Sequence, residues 1–248
     1  MGLVGFVYIG DVINCYNMGN VLVIGGVERS TESGAVMDAQ ACGISYSGNT
    51  INCYNYGKVL AQYKGQGNIE DYSNYIEAYG IQYQAETGKV INCYNLGEIT
   101  GDGDACGIVG YEYSGMLSDC YNNAKITSNY KRASGIELEI VYNNSNGGLI
   151  NTGKVYGKTG AFGIADANNI SNSYYLAGQV YVNGVQKADD SCAKTQEEIE
   201  ALMKPILEVV NTPVTNSWGQ AINEGNAFVA DTNNINNGLP ILKWQVEH

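Results

Sequence analysis

The chain has 248 residues and a formal net charge of −12, from 13 Lys and Arg against 25 Asp and Glu. Binding to nucleic acid requires clustered cations, and an anionic membrane surface would repel this charge, so the sequence predicts no nucleic-acid partner and no membrane insertion. The 32 glycines, 20 tyrosines and only 3 prolines are typical of a turn-rich β protein.

A short motif recurs along the chain. It reads VINCYNMGNV at 12–21, INCYNYGKV at 51–59 and VINCYNLGEI at 90–99. Weaker copies follow at 117–122, 149–155 and 170–180. Internal repetition of this kind predicts stacked units that bury one another, because a single unit has no core of its own.

A second element, a small residue followed by glycine and an apolar residue, precedes each copy of the motif. Its glycines fall at 5, 43, 80, 107, 135 and 163, and the last three spacings are 27, 28 and 28 residues. The first two spacings are longer by about ten residues, which predicts insertion loops near 22–40 and 61–77 on one face of the repeat array.

The units contain short β-branched and aromatic runs that are broken by Gly and Asn. We therefore predict an all-β fold, a parallel β-helix (β-solenoid) of about six right-handed coils over residues 1–187. Equivalent residues would stack in columns, with asparagine amides bonded along a corner and free cysteine thiols packed inside. The glycine of each Asn-x-Gly step would supply the positive φ of a tight corner.

The direction of the repeated tyrosines stays open at this point. Val12 and Val90 share strand parity with the tyrosines and favour a buried tyrosine column, whereas Ile13 and Ile51 share parity with the cysteines and favour the reverse. An exposed column could stack on sugar rings.

The sequence offers little for catalysis. The single histidine is His248, and no C-x-x-C is present, so we predict no metal site, no cofactor and no enzyme activity. The acidic pairs within 101–104 and 189–190 could serve a glycosidase or calcium-assisted lyase, but Asp-Gly-Asp is commonly a solvated turn.

Residues 188–248 have a different character. Thr195 and Glu198 form a capping-box pattern ahead of apolar residues at helical spacing, which predicts a helix near 195–204. Short strands and two tryptophans follow. We interpret this segment as a small α+β C-terminal cap that closes the far end of the stack.

The repeats resemble the GLUG-type motif units of bacterial cell-surface and secreted proteins, and the tail at 236–245 (NNGLPILKWQ) is similar to the ending that follows such repeats in gut Firmicutes and related bacteria. The resemblance covers nearly the whole chain and implies an extracellular or surface location, as a fragment of a longer protein. Such units also occur in large secreted immunoglobulin A peptidases, where the resemblance implies an accessory region.

Three functions follow as hypotheses. The leading one is a non-enzymatic surface module, adhesin-like or a spacer, that presents its loops to a host glycan, matrix or surface protein; Tyr63, Tyr72, Tyr75 and Tyr79 would be the contacts. These tyrosines could instead pack the loop onto the rod. The alternatives are a β-helix that binds or cleaves polysaccharide, and an inert stalk or accessory region of a larger secreted enzyme.

Overall fold

The computed structural model describes residues 10–26, 39–65, 76–140, 146–167, 170–204, 207, 214–222 and 227–246. Within them, short strands dominate and nearly all strand pairs are parallel, which confirms the predicted all-β class. The strands are numbered along the chain. The predicted helix is present as α1 (Gln196–Met203), and its capping box joins Thr195 and Glu198.

The first sheet carries the repeated motif, with one or two strands from each repeat. Its strands are β1 (Asp11–Ile13), β2 (Tyr16–Asn17), β5 (Asn49–Ile51), β6 (Tyr54–Asn55), β10 (Lys89–Ile91), β11 (Tyr94–Asn95), β15 (Met116–Asn122), β19 (Gly147–Asn151), β22 (Tyr174–Leu176) and β25 (Ala193–Lys194).

The second sheet follows the motif in each repeat, and its last strand is antiparallel to its neighbour. In spatial order it contains β24 (Val185–Gln186), β23 (Val180–Val182), β20 (Val155–Gly157), β16 (Ile126–Ser128), β12 (Ile99–Gly101), β7 (Val59–Tyr63) and β3 (Val21–Gly25).

Two smaller parallel sheets flank the small-glycine-apolar element. The third sheet contains β21 (Gly160–Phe162), β17 (Arg132–Ser134), β13 (Ala105–Cys106), β8 (Ile76–Tyr79) and β4 (Ala39–Cys42). The fourth contains β18 (Glu137–Ile140), β14 (Val109–Glu112) and β9 (Gln82–Ala85). An antiparallel pair, β26 (Phe228–Val229) and β27 (Ile241–Leu242), lies in the tail.

Equivalent residues of successive repeats are paired in register. Tyr16 is opposite Tyr54, Tyr54 is opposite Tyr94, and Tyr94 is opposite Tyr121. The cysteines that precede these tyrosines are aligned with them, so the predicted columns are confirmed. The predicted loop bounds were too wide, because 22–25, 39–40, 61–63 and 76–77 belong to strands; the remaining 27–38 and 66–75 lie outside the described residues.

The corner of each repeat is made by the residue before the cysteine, and the prediction that glycine supplies its positive φ was wrong. Asn14, Asn52, Asn92 and Asp119 have φ of 52°, 55°, 54° and 54°. Asn and Asp tolerate this left-handed conformation better than other side chains. In the next repeat Gly148, φ 71°, takes the same place.

The repeated glycines are needed for close packing instead. A Cβ on Gly80 would lie 1.9 Å from the carbonyl oxygen of Gly107 and 2.7 Å from Cγ of Asn95. A Cβ on Gly107 would meet Gly135 and Asn122 in the same way. The glycine element and the Asn-Cys-Tyr-Asn motif therefore face each other across the interior, and only glycine leaves room for the asparagine.

The left-handed corner also settles which side chains point inward. Val12 and Cys15 both pack in the apolar interior, although they are an odd number of residues apart. Asn14, between them, breaks the alternation of the strand. The cysteines therefore point in and the tyrosines point out, and neither parity argument alone could have shown this.

The start of the tail follows the cap prediction, because β25 pairs with β22 at the end of the first sheet, whereas the rest of the tail lies along the side of the sheets. Ser217 donates its backbone N–H and its hydroxyl to Asp11 in β1, at 2.9 and 2.6 Å. Trp244 Nε1 donates to the carbonyl oxygen of Asn52 at 3.0 Å. Helix α1 packs against β22. The outward tyrosines form an apolar strip there that the tail can bury, which favours this position.

Candidate functional site

The tyrosine column is covered by the tail. The rings of Tyr16, Tyr54, Tyr94 and Tyr121 are stacked at centroid distances of 5.3, 5.0 and 4.9 Å. Trp244 lies 5.6 Å from Tyr54, and the other covering residues include Phe228, Leu242 and Leu239. Tyr54, Tyr94 and Tyr121 are buried, so the column is not available as a platform for sugar rings.

The hydroxyls of this column are also used by the tail. Tyr94 Oη donates to Gln245 Oε1 at 2.9 Å, and Tyr121 Oη donates to the carbonyl oxygen of Pro240. Asn236 Nδ2 donates to Tyr121 Oη. These bonds fix the tail in one position on the tyrosine column.

The four tyrosines predicted as ligand contacts lie in different surroundings. Tyr79 is fully buried, so a ligand cannot reach it and that part of the prediction was wrong. Its ring lies against Gly110, where an added Cβ would be 2.4 Å from the ring carbon Cε1 of Tyr79. Tyr63 ends β7, and its ring packs on Gly26 and Gly65. Tyr72 and Tyr75 lie outside the described residues.

A different group of polar side chains comes together on the outer side of the third and fourth sheets. We call it the acid–tyrosine cluster, and it consists of Glu77, Tyr79, Asp104, Tyr111 and Arg132. Register explains it: Ala78, Ala105 and Ala133 are paired, so the residues that precede them stand in one column.

The sequence contained a signal for this column that was not recognised. The residue three before the four central repeated glycines, at 43, 80, 107 and 135, is Gln40, Glu77, Asp104 and Arg132 in turn. Each is polar, whereas the next residue is always alanine. Such alternation beside a repeat position indicates an outward-facing polar column.

Hydrogen bonds connect the cluster. Tyr111 Oη donates to Glu77 Oε1 at 3.0 Å and lies 3.5 Å from Asp104 Oδ2. Arg132 binds Asp104 twice, through its backbone N–H at 2.9 Å and its guanidinium at 2.8 Å, and its guanidinium is 3.4 Å from Glu139 Oε2. The guanidinium of Arg132 thus contacts the carboxylates of both Asp104 and Glu139.

The two carboxylates of the cluster have different surroundings. Burial raises the pKa of Glu77 to about 7, more than the hydrogen bond from Tyr111 lowers it. Arg132 sits on the other side of Asp104, and although burial opposes its charge, the hydrogen bond to Asp104 raises the pKa of Arg132. Glu77 can therefore hold or release a proton near neutral pH, beside an ion pair.

Tyr79 completes the cluster with a buried hydroxyl. It makes no hydrogen bond of ordinary geometry, although it lies close to Glu77 and Tyr111. Burial comes first among the causes that raise the pKa of Tyr79, followed by the charge of Glu77. The cluster thus combines a proton donor, a carboxylate, a guanidinium and tyrosine rings, with Tyr83 5.6 Å from Tyr111. Groups of these types bind or act on carbohydrate, although Glu77, Tyr79 and Asp104 are buried and only Tyr111 and Arg132 reach the surface.

A second carboxyl pair lies inside the fold. Glu112 and Glu137 are both fully buried, and Asn146 Nδ2 donates to Oε2 of each, at 3.2 Å to Glu137. Burial and the neighbouring charge of Glu112 raise the pKa of Glu137 well above its usual range. The pair is closed to ligands, so its role is structural.

The acidic and thiol groups noted in the sequence are used internally. Asp102 accepts the backbone N–H of Tyr63 at 2.7 Å, and Asp190 accepts that of Cys192 at 2.8 Å. All seven cysteines are free, as predicted, and burial raises the pKa of Cys53 and Cys93. Among the described residues, no group of three or more acidic, cysteine or histidine side chains could hold a metal ion.

An open groove runs between α1 and the repeats. Its lining includes Ile199, Met203, Leu176 and Asn123, and its volume is about 570 Å³. Glu200 and Lys204 also line it, and its walls are of mixed polarity. It has fewer features of a specific site than the acid–tyrosine cluster.

Comparisons with known proteins add information on the fold. No protein-family model matches the sequence, and no curated protein matches it. The chain is similar to the crystal structure of a "putative immunoglobulin A1 protease" from Bacteroides ovatus, with a TM-score of 0.54 and 17% identity over 91% of this chain and 74% of that chain. This similarity concerns the fold alone. Within the described part of the chain, no helix is long and apolar enough to cross a bilayer.

Proposed function

We propose that this chain is a non-enzymatic module of a bacterial surface or secreted protein, a right-handed β-solenoid of about six GLUG-type coils that displays its insertion loops to a ligand outside the cell. The in-register pairing of equivalent residues in the parallel sheets carries the proposal. The net charge of −12 suits an exposed, soluble location.

The repeated residues themselves are committed to architecture. Asn55 Nδ2 donates to Asn95 Oδ1 at 2.7 Å, and Asn95 Nδ2 donates to Asn122 Oδ1 at 2.8 Å. The cysteines fill the interior, and the tyrosines hold the tail. Binding to a partner is therefore left to residues outside the repeated motif, such as the insertions with Tyr63, Tyr72 and Tyr75.

A panel of host glycans and matrix proteins tests this function. The labelled chain is expected to bind a panel member, and Tyr72→Ala with Tyr75→Ala is expected to weaken binding about tenfold or more. Tyr113→Ala, at an exposed site outside both insertions in the sequence, is the control and should leave binding unchanged. Binding that is insensitive to the insertion variants would contradict the role of these loops.

The acid–tyrosine cluster favours a second candidate, binding or cleavage of a polysaccharide. Glu77, with a pKa of about 7, would donate its proton to the glycosidic oxygen while water, losing a proton to Glu139, attacks the anomeric carbon and the C–O bond breaks. Because Glu77 is buried beneath its hydrogen bond from Tyr111, this step requires Tyr111 to move aside. New reducing ends, lost in Glu77→Gln but kept in Glu86→Gln, would establish cleavage and overturn the non-enzymatic proposal.

The structural neighbour from Bacteroides ovatus favours a third candidate, an accessory region of a large secreted enzyme, because the similarity in fold extends over 91% of this chain. Incubation with immunoglobulin A1 distinguishes an accessory region from a protease. We expect the chain to leave the antibody intact; cleaved heavy chain would show that the chain is itself a protease.

A further inference from the structure

The two ends of the second sheet are finished differently. At one end β24 folds back antiparallel on β23 and pairs with its edge. At the other end β3 has β7 as its one partner among the residues that the structure describes. Large apolar side chains are exposed there, in β3 and just before it: Tyr16 at 49%, Met18 at 62%, Leu22 at 56% and Ile24 at 44%. An uncharged, apolar edge strand of five residues is a template for pairing with another strand.

The asparagine column shows what this edge would accept. Each amide donates in one direction, from Asn17 to Asn55, from Asn55 to Asn95, and so on to Asn151. Each Oδ1 within the column accepts the Nδ2 of the preceding repeat. Asn17 Oδ1 accepts the backbone N–H of Gly19, at 3.1 Å, and within the described part of the chain it accepts no preceding amide. A carbonyl oxygen has two lone pairs, so Asn17 can accept one more donor.

Gly19, which follows the first copy of the motif, has more space around it than the equivalent glycines of the later repeats. A Cβ on Gly57 would lie 2.0 Å from the carbonyl oxygen of Gly19, and one on Gly97 would lie 1.9 Å from that of Gly57. A Cβ on Gly19 would meet nothing closer than Asn17, at 3.8 Å. The first repeat thus has the residues that receive a preceding repeat, and no described residue occupies the place for that repeat.

We propose that the edge formed by β1, β2 and β3 is the docking surface for one further repeat of the same type, added in register on the upstream side of the chain. The incoming repeat would place an asparagine amide on Asn17 Oδ1, an aromatic ring on Tyr16 and apolar residues beside Leu22 and Ile24. The amide column supports this occupant, because each Oδ1 within it accepts an amide from the repeat before.

A second copy of the chain fits this edge less well. Two copies meeting at the same edge would oppose the two Asn17 Oδ1 acceptors and pair β3 with β3 antiparallel. The opposite end of a second copy is blocked, since β24 covers β23. The direction of the amide column therefore selects a parallel repeat. The inference rests on strand register and does not depend on the proposed ligand.

The test adds one repeat at this edge. Lys89 is in register with Met116, so residues 89–115 form one complete repeat, and they can be joined directly before Asp11 in place of residues 1–10. The melting temperature should rise by about 5 °C or more, because each repeat adds an interface to the stack. Hydrogen exchange of the Val21–Gly25 amides should slow in the extended chain.

One substitution provides the matched control. Gly19→Val should change the melting temperature of the original chain by less than about 2 °C, because the site is open, and should abolish the gain in the extended chain. No rise on extension, or a rise that survives Gly19→Val, would overturn the proposal. So would dimers of the original chain that dissociate on Leu22→Lys, since a second copy would then be the occupant.

Discussion

At the scale of single residues, the corner asparagine decides the geometry of the first three repeats. Asn14, Asn52 and Asn92 have a left-handed backbone, and the amides of Asn52 and Asn92 each donate to the preceding corner, at 3.1 Å from Asn92 Nδ2 to Asn52 Oδ1. The same conformation reverses the alternation of side chains, which directs cysteine inward and tyrosine outward. One residue type thus sets both the bend and the contents of the core.

We expect Asn92→Ala to lower the free energy of unfolding by about 2 kcal/mol, because alanine in the left-handed region costs about 1 to 2 kcal/mol and the amide bond to Asn52 is lost. Urea denaturation measures the change. Asn92→Gly, which permits the backbone conformation, should cost less. Equal losses for the two variants would show that the left-handed corner is not the origin of the effect.

Glu77 makes stability depend on pH. Its pKa rises from 4.5 to about 7 on folding, so the folded state holds a proton that the unfolded state has released. The associated stability is fully present below pH 4.5 and is lost as the pH rises through about 7, and the shift corresponds to about 3 kcal/mol.

Urea titrations at pH 4.5, 6 and 8 test this dependence. Glu77→Gln should reduce the loss of stability over this range, whereas the exposed Glu86→Gln should not. An unchanged profile in Glu77→Gln would assign the pH dependence to other buried carboxyls such as Glu137.

At the scale of elements, the two repeated motifs are complementary surfaces. The asparagine column of the first sheet packs against the glycines between the third and fourth sheets, with Cγ of Asn122 2.7 Å from the Cβ position of Gly107. The spacing of the glycines follows from this contact, because each glycine must face the asparagine of its own level.

Gly107→Ala should therefore destabilise the fold by about 1 to 3 kcal/mol, since its Cβ would lie 2.0 Å from the carbonyl oxygen of Gly135. Gly160→Ala is the matched control, because its Cβ would meet nothing closer than 3.4 Å. Thermal or urea unfolding of both variants provides the comparison. An unchanged stability of Gly107→Ala would mean that the first sheet can move away from the glycines between the third and fourth sheets.

At the scale of the whole molecule, the tail runs back along the side of the stack to β1. It buries the tyrosine column and joins repeats that are far apart in sequence, through Ser217 at Asp11 and α1 at β22. The parallel pairing also continues past the predicted boundary at 187, since β25 pairs with β22.

Removal of residues 214–248 should expose Tyr54, Tyr94 and Tyr121 while the sheets persist. Nitration followed by mass spectrometry is expected to modify Tyr94 and Tyr121 in the shortened chain and not in the full chain. Far-UV circular dichroism checks that β structure is retained. Protection of both tyrosines in a folded, shortened chain would contradict the covering role of the tail.

The repeat sequence by itself determined the all-β class, the in-register columns, the free buried thiols and the helix at 196–203, because each depends on local pattern or on exact repetition. Tertiary structure decided the rest. The tyrosine direction depends on a backbone reversal at Asn14 and Asn52 that strand periodicity does not reveal. The acid–tyrosine cluster joins Glu77, Asp104 and Arg132, which are 27 and 28 residues apart in the sequence. The position of the tail depends on the apolar surface that the outward tyrosines form once the repeats are stacked.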